Sequence, residues 1–291
     1  MALAALSGDE QRIIFSKLCN VLDPGVAVGF SAVSSGLWAL MLALRRQLRT
    51  DHEAAAALCR KLGMQSCKEL REAKKLNFGV RDDKGLSAAD LGLLGTLGSV
   101  LPALEELCLF DSSGSAAGHD GVQRLVEGLG AGALPGLNTF ALGKMHAGDA
   151  GASALAGALG RGALPRLKIL GLYRAAITDA GLVALAPALR RLPTLEELTL
   201  SNNPLGDEGI AALVAPLPAG ALPPPTGGLK KLTALDLWGT HITDAGCATL
   251  TSALDSGALP ALERLRWDSA FSCATHTAIA AVRVALAKNR Q

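Results

Sequence analysis

The chain has 291 residues, of which 49% are hydrophobic and only 3% aromatic. That apolar content excludes a disordered chain, and the scarcity of aromatics requires an aliphatic core built mainly from Leu and Ala. A net charge of +2 gives no whole-chain case for binding nucleic acid.

The start, MALAALSGDEQ, has neither the basic region nor the long apolar stretch of a signal peptide. Apolar positions then run Leu6, Ile13, Ile14, Phe15 and Leu18, followed by Asp23-Pro24, Val33-Ser34 and Leu37-Trp38. This pattern resembles an F-box. That family opens with Leu-Pro, continues with a helix carrying Ile-Phe-x-x-Leu, and ends near Val-x-x-x-Trp. Leu6, Ile14, Phe15 and Leu18 fall at the family spacing, whereas Ser7 replaces the usual Pro and Trp38 comes one residue late. The resemblance implies docking on the adaptor subunit of a cullin-type ubiquitin ligase through Leu6, Ile14, Phe15, Leu18 and Trp38. The same apolar residues suit a plain helical cap on a repeat array, which such arrays need to shield an open core.

Val26 to Leu44 is 19 residues without a charge, close to the length that spans a bilayer. Gly29, Ser31, Ser34, Ser35 and Gly36 dilute it, so a buried pair of amphipathic helices is expected and not a membrane span. A further helix is expected over about Asp51 to Leu62, ending at Gly63. Ser66-Cys67-Lys68-Glu69 then has the form of a capping box before the first strand. Residues 45–75 hold nine Lys/Arg against four Asp/Glu, which reads as a solvated helix face. The chain thus divides into 1–45, an F-box-like or capping segment, 46–66, connecting helices, and 67–291, a repeat region.

The repeat phrase is Leu-Pro-x-Leu-x-x-Leu-x-Leu. It begins at Leu101, Leu134, Leu164, Leu192, Leu229 and Leu259, with a degenerate copy at Leu70, and its starts lie 28 to 37 residues apart. Behind most copies an Asp-x-Gly introduces an apolar stretch: Asp149 to Gly151, Asp179 to Gly181, Asp207 to Gly209 and Asp244 to Gly246, with Asp120-Gly121 as a shortened version. Asp suits the N-cap of a helix. Leu182, Leu185 and Leu189 then follow at helical spacing, and GAGALP, GRGALP and DSGALP close three units at a Gly-rich turn. Pro187 and Pro216 should shorten or kink their helices, and Pro218 with Pro223-Pro224-Pro225 marks an inserted loop over about 216 to 228.

Each unit therefore reads strand, turn, helix, turn. The phrases resemble the leucine-rich-repeat family, specifically the ribonuclease-inhibitor-like subclass, over about three quarters of the chain. The resemblance implies an α/β solenoid of about seven repeats, an arc with a parallel sheet inside and helices outside. One copy, LTLSNNPL, carries the family Asn at Asn203. Elsewhere that place holds Met145, Ala175 or Thr240, so the family's side-chain hydrogen-bond ladder should be incomplete.

No catalytic constellation survives inspection. HExxH, GxSxG and GxxxxGK[ST] are missing, so an enzyme is not expected. The run from Gly128 to Gly132 follows a helix and precedes a strand, the wrong order for cradling a phosphate. The six Cys form no CxxC, the five His have no second His or Cys at ligand spacing, and neither metal nor cofactor is implied. Cysteines used as small hydrophobes fit a reducing compartment, hence the cytoplasm or nucleus.

A partner protein is expected on the concave sheet face, where strand alternation sends out Glu106, Cys108 and Phe110 on one strand. The other strands send out Lys75, Asn77 and Gly79; Thr139, Ala141 and Gly143; Ile169, Gly171 and Tyr173; Glu197, Thr199 and Ser201; Ala234, Asp236 and Trp238; and Arg264, Arg266 and Asp268. Phe110, Tyr173 and Trp238 share one place in the triplet and suggest hot spots. Glu106, Glu197 and Asp236 should make one side acidic, and Arg264 and Arg266 should make the last repeat basic.

Overall fold

In the computed structural model, which describes residues 6–80, 85–111, 118–215, 229–267 and 273–289, Ser7 opens the first helix, α1 (Gly8–Leu18). Its hydroxyl accepts from the Glu10 N–H at 3.3 Å, and its own N–H donates to the Glu10 carboxylate at 2.8 Å. This reciprocal box satisfies two donors that a helix start leaves free. The uncharged stretch then breaks into α2 (Gly25–Ser31), α3 (Ser35–Leu40) and the start of α4 (Leu42–Lys61). Ser34 causes one of the breaks, because its hydroxyl accepts from Leu37 N–H at 3.2 Å and starts α3 afresh. Among the described residues, no helix is long and apolar enough to cross a membrane. The helix expected over Asp51 to Leu62 is the second half of α4, which ends just before Gly63, held at φ 79°. Ser66 caps α5 (Cys67–Glu72), but the Glu69 carboxylate takes the N–H of Gln65, one residue earlier than a capping box requires.

The chain divides into two compact units by its contacts. One, Met1–Ala73 with Val100–Ala103, holds these five helices around Phe15, Ala27, Leu37, Met41 and Leu48. The other, Lys74–Ser99 with Leu104–Gln291, holds the repeats.

Every strand phrase of the sequence forms a strand. They are β1 (Lys75–Val80), β2 (Glu106–Asp111), β3 (Thr139–Gly143), β4 (Ile169–Tyr173), β5 (Glu197–Thr199), β6 (Ala234–Asp236) and β7 (Arg264–Arg266). All pair in parallel, in chain order. The register aligns Leu107, Phe140, Leu170, Leu198 and Leu235 in one buried row that ends at half-buried Leu265. Each fully buried side chain of this size contributes about 1.5–3 kcal/mol. Between the strands run α6 (Ala88–Thr96), α7 (Gly118–Glu127), α8 (Gly148–Gly160), α9 (Asp179–Leu189), α10 (Asp207–Val214) and α11 (Asp244–Asp255), and α12 (His276–Asn289) follows β7. Consecutive helices pack on one another and form the second layer. Gly162 and Gly257 end α8 and α11 at φ 84° and 70°, and the next N–H groups, of Ala163 and Ala258, reach back to Ala158 and Ala253.

Helix α9 contains Pro187 on its exposed face, where water can satisfy the carbonyl that loses its N–H, and ends two residues later at Leu189. Pro216 and the expected loop over 216–228 lie outside the described residues. One expectation is corrected here. The Asp-x-Gly residues are not N-caps of their own helices. Thr178 and Thr243 are the caps, and Asp179 and Asp244 follow them in the first turn. Each Asp instead reaches forward to the next repeat. Asp149 accepts from the Thr178 N–H at 2.8 Å and hydroxyl at 2.7 Å, and Asp207 accepts from the Thr243 N–H at 2.8 Å and hydroxyl at 2.6 Å. Asp244 does the same to Thr275, and Asp179 takes the N–H groups of Gly206 and Gly209. The Gly of the motif leaves room for the arriving carboxylate. A Cβ on Gly181 would sit 2.3 Å from Asp149 Oδ1, and one on Gly246 would sit 2.3 Å from Asp207 Oδ1.

Asn203 supplies a second link between repeats. Its Oδ1 accepts from Ala175 and Ile177 N–H at 2.9 and 3.1 Å, and its Nδ2 donates to the carbonyls of Leu172 at 2.6 Å and Leu200 at 2.8 Å. Buried Met145 and Ala175 cannot do this, and Thr240 only bonds back to Leu237. The ladder is therefore incomplete, as the sequence implies.

Candidate functional site

The strands place their outward residues on a face that the helices leave open. Glu106, Tyr173, Glu197, Asp236 and Trp238 are half-buried there, while Phe110, Arg264 and Arg266 are exposed. Alternation therefore holds along the sheet, apart from Cys108, Gly143 and Ser201, which are buried. Burial and the adjacent Glu106 carboxylate push the Cys108 thiol up to about 11, so it stays protonated. Asp268 lies outside the described residues.

The three aromatics come together. Phe110, Tyr173 and Trp238 line one recess of ≈ 500 Å³ on this face, with Asp236 and Arg266 at one end. They belong to β2, β4 and the turn after β6, with small residues on the strands between. Phe110 is held down by that alternation, because its ring covers Gly143 so closely that a Cβ there would lie 2.2 Å from Cδ1. Gly171 and Ser201 keep the floor shallow beside Tyr173 and Trp238. The sequence reading did not single out Asn202, which also lines the recess. Its N–H donates to the Trp238 carbonyl at 2.7 Å. Its left-handed backbone, φ 56°, recurs at the same repeat position in Lys144, Arg174 and Gly239. Asn and Gly adopt this conformation more readily than Lys or Arg, so Asn202 and Gly239 were the available signal.

The charges do not separate into an acidic side and a basic end. Arg264 reaches over Ala234 to Glu197 at 2.5 Å, two strands away, and Arg266 faces Asp236 at 3.6 Å. Lys75 pairs with Glu106 at 2.8 Å and holds its carboxyl below the usual range. Each acid thus meets a base on the same face, which corrects the charge map. Glu197 and Arg264 line a smaller recess of ≈ 270 Å³, and Glu106 lines neither recess.

The adaptor-binding set is not equally available. Phe15 is 0% exposed and belongs to the core of the helical unit, so its role is to hold α1 in place and not to touch a partner. Leu6, Ile14 and Leu18 are half-buried, with Leu18 packed on that core. Trp38 is 45% exposed. Among the described residues, no group of His, Cys, Asp or Glu is arranged to hold a metal ion.

A family model described as Leucine Rich repeat matches residues 191–214 and 228–250, the segments that carry β5 and β6. With seven parallel strands, each at one copy of the phrase, the fold is a leucine-rich-repeat solenoid, and the family model matches two of its repeats. Solved structures similar to it include the Rad7 and Elc1 complex in yeast, at 16% identity and a TM-score of 0.40. That match covers 70% of this chain and 52% of the other, so this chain spans about half of it. Another is Leiomodin-1 actin-binding site 2, at 20% identity and a TM-score of 0.35, covering 48% of this chain and 72% of that one. No curated protein matches the chain.

Proposed function

We propose that this chain is a non-enzymatic interaction scaffold of the ribonuclease-inhibitor-like kind, which holds a partner protein on the open sheet face. One observation carries the reading: its single Tyr and one of its three Trp stand with Phe110 around one recess. Aromatics and Arg dominate binding hot spots, and the paired charges beside the recess suit a protein of mixed charge better than a polyanion. Glu106, Glu197 and Arg264 would then form the polar rim. Tyr173→Ala and Trp238→Ala are each expected to weaken binding of the affinity-purified partner by about 2 kcal/mol in titration calorimetry. Unchanged affinity in both variants rejects this face.

A second reading rests on the helical unit, which has its own core and leaves Ile13, Val33 and Trp38 exposed. In this reading the unit docks on a ubiquitin-ligase adaptor through Leu6, Ile14, Leu18 and Trp38, and the repeats present the protein to be modified. The full chain should co-purify with such an adaptor, and Leu6→Asp with Ile14→Asp should abolish that while circular dichroism stays unchanged. Failure of the intact chain to recover any ligase adaptor sinks the reading.

A further inference from the structure

We infer that a groove on the helical unit, between α2, α3 and α4, docks an acidic peptide segment of a partner protein through an apolar anchor. The groove has a volume of ≈ 370 Å³. Val28, Trp38 and Leu42 make its apolar wall, and each is more than a third exposed. Arg45, Arg46 and Arg49 also line the groove, and no carboxylate does.

Their spacing puts these arginines on one side of α4, since helix residues three and four apart are neighbours. Arg45 is already used to build the wall. Its guanidinium carbon lies 3.6 Å from the centroid of the Trp38 ring, and its Nη1 donates to Ser31 Oγ at 2.6 Å. That clamp fixes an indole that would otherwise be free to turn, so the pocket exists before anything enters it. Arg46 and Arg49 are exposed, and among the described residues neither takes part in an ion pair. The open sheet face behaves differently, since Lys75, Arg264 and Arg266 there each meet an acid. Two unpaired guanidiniums beside exposed indole and aliphatic surface lack carboxylates, and a partner segment can supply them in bidentate form.

The shape selects a peptide over a lipid surface. Side chains that enter a bilayer protrude, whereas here the apolar atoms line a recess floored by buried Leu48. The fitting segment is a helical turn or two with one bulky apolar residue and Asp or Glu on the neighbouring positions. This inference rests on neither reading above; it shares Trp38 with the adaptor reading, but Leu6 and Ile14 do not line the groove, so Leu6→Asp/Ile14→Asp should leave the peptide affinity unchanged.

The test selects binders of the full chain from a displayed library of random peptides, with counter-selection on Trp38→Ala/Arg46→Glu/Arg49→Glu. Enriched sequences should pair a bulky apolar residue with flanking Asp or Glu. Their affinity should fall at least about tenfold in Arg46→Glu/Arg49→Glu and in Trp38→Ala, fall with added salt, and survive Arg46→Lys/Arg49→Lys in part. Circular dichroism checks that these surface variants fold. No enrichment over the counter-selection, or enrichment of basic or neutral sequences, overturns the proposal. So does binding to phosphatidylserine vesicles that the same substitutions remove while no peptide is selected, which would assign the surface to lipid.

Discussion

The helical unit and the repeats fasten the starts of their helices differently. In the helical unit the caps are local: Ser7 serves Glu10, Ser34 serves Leu37 and Ser66 serves Glu69, each three residues on. The first helix among the repeats, α6, still uses a local box between Ser87 and Asp90. From Asp149 onward a cap such as Thr178 or Thr243 still accepts a local N–H, of Ala180 or Ala245, but is itself held by Asp149 or Asp207 from one repeat away, and Asn203 likewise serves the preceding repeat. A helix with a local cap keeps it when its neighbours loosen. A helix entry fastened by the repeat before it does not, so stability in the array is shared between adjacent repeats.

The largest effect should come from Asn203→Ala. It strands the N–H groups of Ala175 and Ile177 and the carbonyl of Leu172 in a buried place, at a cost of about 3 kcal/mol or more in urea denaturation. Ser7→Ala, the local counterpart, should cost only about 1 kcal/mol. Equal costs would break the comparison.

Next come two glycines. Gly181→Ala forces a Cβ against Asp149 Oδ1 and Ile177 Cγ2 and should cost about 2 kcal/mol, less in an Asp149→Ala background. Gly29→Ala in α2 meets nothing within 4 Å and should stabilise by about 0.5–1 kcal/mol. A double-mutant cycle on Gly181 and Asp149 that comes out additive would remove the steric link.

The smallest effect concerns pH. The Glu106 carboxyl lies below its ordinary value of 4.5 because Lys75 holds it. Its contribution is therefore complete above that ordinary value and disappears as pH falls through the lowered one. The exposed Lys75 limits it to less than about 1 kcal/mol. Wild type and Glu106→Gln should differ in denaturation midpoint at pH 7 and converge as pH falls through the lowered value.

The repeats were legible because a phrase that recurs seven times reports its own period, and burial follows from alternation along each strand. Leu182, Leu185 and Leu189 are all 0% exposed, as their spacing required. What was misread depended on neighbours far away in sequence. Asp149 looked like a cap because its partner, Thr178, is 29 residues on, and only comparing the Asp of one repeat with the Thr and Gly of the next would have shown the link. Arg264 looked like part of a basic end because Ala234, the small residue it crosses to meet Glu197, belongs to another strand. In the helical unit the pattern occurs once, so apolar spacing alone could not tell Phe15, which is core, from Ile13, which is 60% exposed. The aromatic recess was half legible: residue types marked Phe110, Tyr173 and Trp238, but not that Phe110 would lie across Gly143.

The forward reach of the Asp has a bearing on how such an array changes length. A repeat that carries its own Asp and its own Thr and Gly brings both halves of the fastening with it. Thr-Asp-x-Gly stands at 178–181 and 243–246, two repeats apart, so duplicating or deleting the stretch between them rejoins a matching pair at the seam. Whole-unit changes are thus the inexpensive route by which this chain gains or loses surface, whatever partner that surface holds.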